Sequence, residues 1–213
     1  MTEPAVVNRV DRRKARTRAA LIGAARQFLA RDGGADVSIQ EITELADVGF
    51  GTFYNHFASK TELFDAAVAE TLDEHGALLD EITEGIDDIA EVFASCVRLT
   101  VRLYKTHRQI AQIMSNTGPQ YLKSNGGLAP RALRDINTAK AAGRFEVSDP
   151  VVALACTGGS ILGVLHILEG ASDAEIDRAS DEVAINVLRM FGLSGDEARD
   201  IVSRPLPMTS PRS

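Results

Sequence analysis

The sequence predicts an all-α protein: an N-terminal three-helix domain of the helix-turn-helix kind and a larger helical domain, with about nine to ten helices in all. Two observations carry this. Apolar residues recur at spacings of three and four along most of the chain, and β-branched alternation is rare. Residues 38–60, SIQEITELADVGFGTFYNHFASK, read as two short helices joined by a tight link, with a third helix opening at Ser59-Lys60. Such a pair of short helices is the unit that places one helix in the DNA major groove.

The elements follow in order. The first helix spans residues 11–31, with Ala15, Leu21, Ile22, Ala25, Phe28 and Leu29 on its apolar stripe. Gly33-Gly34 ends it, because glycine accepts the left-handed conformation at a helix C-terminus. Ser38 caps the second helix, and Glu41 completes a capping box. The next segment, 49–57, buries Phe53 and Phe57. Ser59-x-x-Glu62 is another capping box, and it opens a helix over 60–82. Gly85 and Asp87-Asp88 break the chain before an amphipathic helix over 88–105. A short helix over 109–116 and a glycine-rich loop over 117–129 follow, and Pro130 then starts a helix that continues over 131–142. Asp149-Pro150 opens the most apolar helix, 151–169, which contains Gly158, Gly159 and Gly163. Each internal glycine costs about 1 kcal/mol relative to alanine, and close approach of a neighbouring helix would compensate. Helices over 174–191 and 195–203 complete the set, before a Pro/Ser-rich tail.

The pattern divides the chain into a flexible basic arm (1–10), a helix-turn-helix domain (11–58), a larger helical domain (59–204, with 59–82 as connector) and a disordered tail (205–213). The net charge of −7 is unevenly spread. Residues 1–60 hold nine Lys+Arg against seven Asp+Glu, and residues 61–213 hold fourteen against twenty-three. Between residues 8 and 31, eight basic residues face Asp11 alone. A basic end on an acidic body orients a molecule toward a polyanion. Cys96 and Cys156 lie in apolar helical patterns and have no metal-ligand spacing. They read as buried free thiols, the alternative being an exposed redox sensor. No stretch reaches the roughly 18 apolar residues that span a bilayer, and no targeting segment is visible, so a cytoplasmic protein is expected. HExxH, GxSxG, a P-loop and GxGxxG are absent, which argues against an enzyme, and no cofactor or metal is expected.

The stretch IQEITELADVGFGTFYNHFASKTELF resembles the DNA-binding domain of TetR-family (TetR/AcrR-type) transcriptional repressors. Ile42, Ala46, Val48, Gly51-Thr52-Phe53-Tyr54, His56-Phe57 and Ser59-Lys60 carry the likeness. Asp47 departs from it, standing where a glycine is usual in the turn, as does Gly49, where Ser or Thr often caps the recognition helix. Asp tolerates turn conformations, and Gly is an adequate cap. The resemblance implies a homodimeric repressor that leaves a pseudo-palindromic operator on binding a small, lipophilic effector, with residues 59–204 as its effector-binding and dimerisation domain. An activator or architectural DNA-binding protein without an effector is the alternative.

A recognition helix enters the groove by its N-terminal half, which places Gly49, Phe50, Gly51, Thr52 and Asn55 nearest the bases. Asn pairs bidentately with adenine, and Thr and Phe can touch a thymine methyl. Two readings of Phe50 stay open: it falls near Phe53 and Phe57 on a helical wheel, as a core residue would, and its place in the family motif faces DNA. By resemblance Tyr54, His56 and Lys60 are phosphate anchors. For Tyr54 and His56 polar helix packing is the competing reading. Arg12, Arg13, Lys14, Arg16 and Arg18 supply charge, and Thr17 and Ser38 hydroxyl contacts.

For the effector the sequence offers only apolar faces with scattered polar groups, and the candidates are Phe93, Cys96, Thr100, Tyr104, Ile113, Met114, Tyr121, Ile136 and His166. Phe93, Ile113 and Met114 also fit a plain core, and His166 a satisfied core histidine. Two consecutive apolar helices suggest a surface that buries itself against a second copy, through Leu154, Gly158, Ile161, Leu162, Leu165, Val183, Val187 and Met190. An intramolecular core is the other reading of the same residues.

Overall fold

A computed structural model of the chain describes residues 9–119 and 127–207. The chain divides into two compact units, residues 1–68 and 69–213. All regular structure among the described residues is helical.

In the first unit α1 is Arg9–Leu29, α2 Ile39–Leu45 and α3 Phe50–Phe53. Only the second half of α1 is buried, through Leu21, Ile22, Ala24, Ala25 and Leu29. Its first half carries the basic residues into solvent. A Cβ on Gly34 would sit 1.8 Å from the Phe28 carbonyl oxygen, so the chain can turn back under α1 only with glycine here.

Ser38 Oγ accepts from the Glu41 N–H at 3.2 Å, while the Glu41 carboxylate accepts from the Ser38 N–H at 2.9 Å, the capping box read from sequence. At the other end of α2 the Asp47 N–H donates to Glu44 O and the Val48 N–H to Thr43 O, at 3.1 and 3.0 Å. This is a Schellman closure, and it requires a left-handed residue. Asp47 supplies it with φ 53°, the one non-glycine with positive φ among the described residues.

The predicted helix over 49–57 is shorter. α3 makes a single turn, and Tyr54–His56 continue it as tighter turns, with Asn55 and His56 N–H groups bonding three residues back. Phe53 and Phe57 are both buried.

α4, Lys60–Ile82, begins in the first unit and ends in the second. The second unit continues with α5 Ile89–Val101, α6 Leu103–Thr106, α7 Arg108–Thr117, α8 Leu128–Ala141, α9 Pro150–Ile167, α10 Asp173–Met190 and α11 Gly195–Ser203. α5 is central and packs against α8, α9, α10 and α11. Phe93, Phe145 and Phe191 meet around it with ring centroids 4.9–5.6 Å apart.

Charge pairs tie α5 and α6 to α10. Arg98 Nε lies 2.7 Å from Asp181, Arg102 NH2 3.1 Å from Asp181, and Lys105 Nζ 2.8 Å from Asp177. The predicted helix over 88–105 is broken at Arg102, whose guanidinium turns toward α10 and also donates to Ser180 Oγ at 2.8 Å. Pro130 falls inside the first turn of α8, where its missing N–H costs nothing.

Asp149 caps α9 by accepting from the Val151 and Val152 N–H groups, and Pro150 occupies the first turn. The expectation that no segment is apolar enough to span a bilayer is corrected here. α9 has 18 residues and a mean hydropathy of 1.8, with a third of it buried. Its length and composition pass that test because both of its faces are apolar, the buried one and the exposed one alike.

Candidate DNA-binding face and effector cavity

In the first unit the basic half of α1 and the end of α3 come together. Phe50 and Tyr54 are each 53% exposed, and Gly49, Gly51 and Asn55 are exposed beside them. The Phe50 and Tyr54 rings meet edge to face with centroids 5.8 Å apart, and Tyr54 stands edge-on to buried Phe53 at 5.2 Å. Phe50 is therefore outside the core, and Phe53 holds the patch to the domain beneath.

Thr52 and His56 are half-buried. Burial, and then the charges of Lys14 and Arg18, lower the His56 pKa, so the lysine and arginine of α1 sit in its field. Arg18 also lies over the Phe57 ring, 5.4 Å from its centroid. Arg12, Arg13, Lys14 and Arg16 are exposed.

Three candidates have other work in this chain. Lys60 Nζ donates to the carbonyls of Ala35 and Val37, both at 2.8 Å, and so fastens the start of α4 to the loop before α2. Ser38 gives its hydroxyl proton to Glu41 at 2.7 Å, and Thr17 gives its own to the Arg13 carbonyl at 3.1 Å. Phosphate oxygens only accept hydrogen bonds, so a hydroxyl whose proton is committed has nothing to donate. Ser38 thus serves the cap of α2, and the Thr17 hydroxyl is taken up within α1.

The second unit contains a cavity of about 70 Å³, several times the roughly 10–15 Å³ that one water needs. Its walls come from Gly76 and Leu79 of α4, Phe93, Cys96, Val97 and Thr100 of α5, Met114 of α7, the first half of α8, and Leu154, Thr157, Gly158 and Ile161 of α9. Most of this lining is apolar.

One region is ionic. Arg131 Nε donates to Asp80 at 2.9 Å and its NH1 to Asp73 at 2.9 Å; Arg134 bridges Asp80 and Asp135, each at 2.9 Å. A Cβ on Gly76 would fall 2.8 Å from Arg131 Cδ, so the glycine leaves the arginine its path along α4. Burial opposes ionisation of Asp80, but hydrogen bonds from Arg134 and Arg131 outweigh it and hold the carboxyl below its ordinary range. Asp135 is buried, and burial pushes its carboxyl up against the pull of Arg134.

The structure redistributes the effector candidates. Phe93, Cys96, Thr100 and Met114 line the cavity. Ile113 and Ile136 are fully buried elsewhere, Tyr104 is half-buried away from it, His166 is exposed, and Tyr121 lies outside the described residues. Missed altogether were Asp80, Arg131 and Asp135. The i, i+4 spacing of Arg131 and Asp135 on α8 was visible, but a charge on an amphipathic helix reads as solvated until its neighbours, here Asp80 of α4, are known.

Burial, then the charges of Asp135 and Asp80, push the Cys96 thiol up to about 12, which makes it inert. Cys156 is exposed, contrary to the expectation of two buried thiols, because it lies on the outer face of α9.

The proposed interface residues are also corrected. Leu154, Gly158, Ile161, Leu165, Val183 and Val187 are buried within their own chain, and the first three line the cavity. Leu162 is half-buried, and Met190 is 46% exposed. The outward face of α9 is instead Val151, Val152, Cys156, Gly159, Gly163 and Ile167, with Ile167 73% exposed.

Residues 21–67 match the model for bacterial regulatory proteins of the tetR family, and residues 88–204 match the tetracyclin repressor-like C-terminal domain. The chain belongs to the TetR family. It is accordingly a DNA-binding transcriptional regulator, and the family's members are not enzymes.

Two solved structures of RolR align over almost the whole TetR-family chain at 36% identity. The complex with the ligand resorcinol gives a TM-score of 0.73 and covers 92% of this chain and 98% of RolR. The ligand-free form gives 0.71, with 90% and 100% covered. The fatty acid degradation regulator FadR from Bacillus halodurans shares the fold alone, at 17% identity and a TM-score of 0.62, over 81% of this chain and 96% of FadR. The transcriptional regulator UidR of Escherichia coli K12 is 28% identical over 99 residues, 46% of this chain, so the chain spans about half the length of that relative, 50%.

Proposed function

We propose that the protein is a homodimeric repressor that sits on a pseudo-palindromic operator in the cytoplasm and is released by a small, hydroxylated, largely apolar effector. The observation that carries the effector reading is the cavity, apolar over most of its wall and closed at one side by Asp80, Arg131 and Asp135. Its volume suits a single small ring better than a long acyl chain. Carboxylates accept hydrogen bonds from hydroxyls. RolR, the relative at 36% identity, is seen with resorcinol, a ring of this kind. The cavity also favours this reading over an effector-free regulator.

On the DNA side, Asn55 and Phe50 are the base readers. Tyr54, His56 and the exposed Arg12, Arg13, Lys14 and Arg16 are phosphate contacts, which set affinity without sequence information. Dimerisation doubles the recognised sequence, and the outward face of α9 is the surface for it. Gly159 and Gly163 have no atom near the Cβ an alanine would add, so no contact inside the chain explains them. The effector acts by binding better to a conformation that spaces the recognition helices wrongly for the operator, with a coupling of about 1–3 kcal/mol.

Selection of randomised duplexes by the purified protein, followed by gel shifts with added resorcinol, tests the reading. Inverted repeats that release the protein as resorcinol rises are the expected result. Selected sites without two-fold symmetry, or complexes that resorcinol leaves intact while it saturates the protein, would refute it.

A further inference from the structure

One polar atom beside the cavity is unmatched. His75 of α4 is 3% exposed. It directly precedes Gly76, and its Nε2 lies 3.2 Å from Thr100 Oγ1; Gly76 and Thr100 both belong to the cavity wall. Thr100 has one hydroxyl proton, and it goes to the Cys96 carbonyl at 2.7 Å. The histidine contact therefore runs from nitrogen to oxygen, with Nε2 carrying the ring proton. In a neutral imidazole the other nitrogen is then a bare acceptor. Nδ1 is buried and has no hydrogen-bond partner among the described residues. Burial, with a smaller contribution from His107, holds the imidazole down at about 4, so the neutral form prevails at physiological pH.

Much of the hydrogen-bonding capacity around this cavity is already committed. Arg131 and Arg134 already donate to Asp73, Asp80 and Asp135. Thr100 has spent its proton. What remains in the wall is the NH2 group of Arg131 and carboxylate oxygens of Asp80 and Asp135, and, one layer behind the wall beside Thr100, the acceptor Nδ1 of His75. Nδ1 of His75 can be satisfied only by a molecule that brings a proton of its own, which an aromatic carboxylate without a hydroxyl does not.

We propose that His75 is an effector-recognition residue whose Nδ1 accepts a hydrogen bond from a hydroxyl of a neutral hydroxylated aromatic molecule. This rests on the effector reading above and adds the residue that requires the hydroxyl.

The test uses the full chain with its four histidines labelled with nitrogen-15 in the ring, titrated with resorcinol and, separately, with benzoate. The His75 Nδ1 resonance is identified by its absence from His75→Phe. Should that variant not fold, correlation to the ring protons in the wild type assigns the resonance instead. The expected result is a bare-acceptor resonance that moves toward the hydrogen-bonded range as resorcinol binds. Benzoate should leave it in place, and His75→Phe should bind resorcinol about 3- to 10-fold more weakly. A His75 Nδ1 signal that stays put while calorimetry shows resorcinol saturating the protein would overturn the role of His75 and leave the effector reading standing. No resorcinol binding to the wild type would overturn both.

Discussion

Lys60 Nζ and the Val37 carbonyl oxygen are 2.8 Å apart, and the same ammonium reaches the Ala35 carbonyl at 2.8 Å. The start of α4 is thereby bonded to the loop that leads into α2. Lys60→Met should weaken operator binding while leaving the slope of log affinity against log salt unchanged, because the loss is in positioning. A direct phosphate contact would instead reduce that slope by about 0.9 per lysine removed. Salt titrations of the two proteins by fluorescence anisotropy separate the outcomes.

Phe50 and Phe53 are three residues apart and should behave oppositely. Phe53 is fully buried, so Phe53→Ala should cost about 3–5 kcal/mol of stability. Phe50→Ala removes a ring that is 53% exposed and should cost under about 1 kcal/mol, while operator affinity falls by about tenfold or more. Denaturant melts and gel shifts on both variants decide it. Asn55→Ala should alter the preferred sequence, whereas Tyr54→Ala should weaken all probes alike.

Adjacent glycines on α9 give a second contrast. Gly159→Leu, on the outer face, should yield monomers or aggregates by light scattering, in contrast to the dimer proposed for the wild type. Gly158→Leu, in the cavity wall, should keep the dimer and abolish the response to resorcinol. Normal dimers from Gly159→Leu would remove α9 from the interface.

His75 also predicts a pH dependence. Its folded pKa is lowered from 6.5 to about 4, so between those values the unfolded chain binds a proton that the folded chain refuses. Stability should therefore be unaffected by this group above about 6.5 and fall as the pH drops toward about 4, by about 3 kcal/mol over the whole window. Asp73, Asp80 and Asp88, whose pKa values are lowered below 3.8, lose their contribution only in more acid solution. Thermal melts from about pH 7 to about pH 4.5 should show the slope in the wild type and a smaller one in His75→Gln.

The local chemistry of the chain was legible from sequence. Ser38 with Glu41, the Gly33-Gly34 stop and Asp149-Pro150 each act on neighbours within about six residues, so their geometry is encoded where they stand. Asp47 is the same kind of case: a Schellman turn needs a left-handed residue, and Asp is among the few side chains that tolerate it. The exposed aromatic patch of α3 and the basic α1 were visible for the same reason.

The cavity was not. Which face of α9 turns inward cannot be read from a helix apolar all round, so Leu154, Gly158 and Ile161 passed for an outer surface when they line the interior. Nothing in the sequence singles out Asp80, Arg131 and Asp135, because pairing across α4 and α8 is a long-range fact. His75 shows the division best. The sequence places a histidine on a helix, and only the packing of Thr100 against it removes water, fixes its tautomer and leaves one nitrogen without a donor.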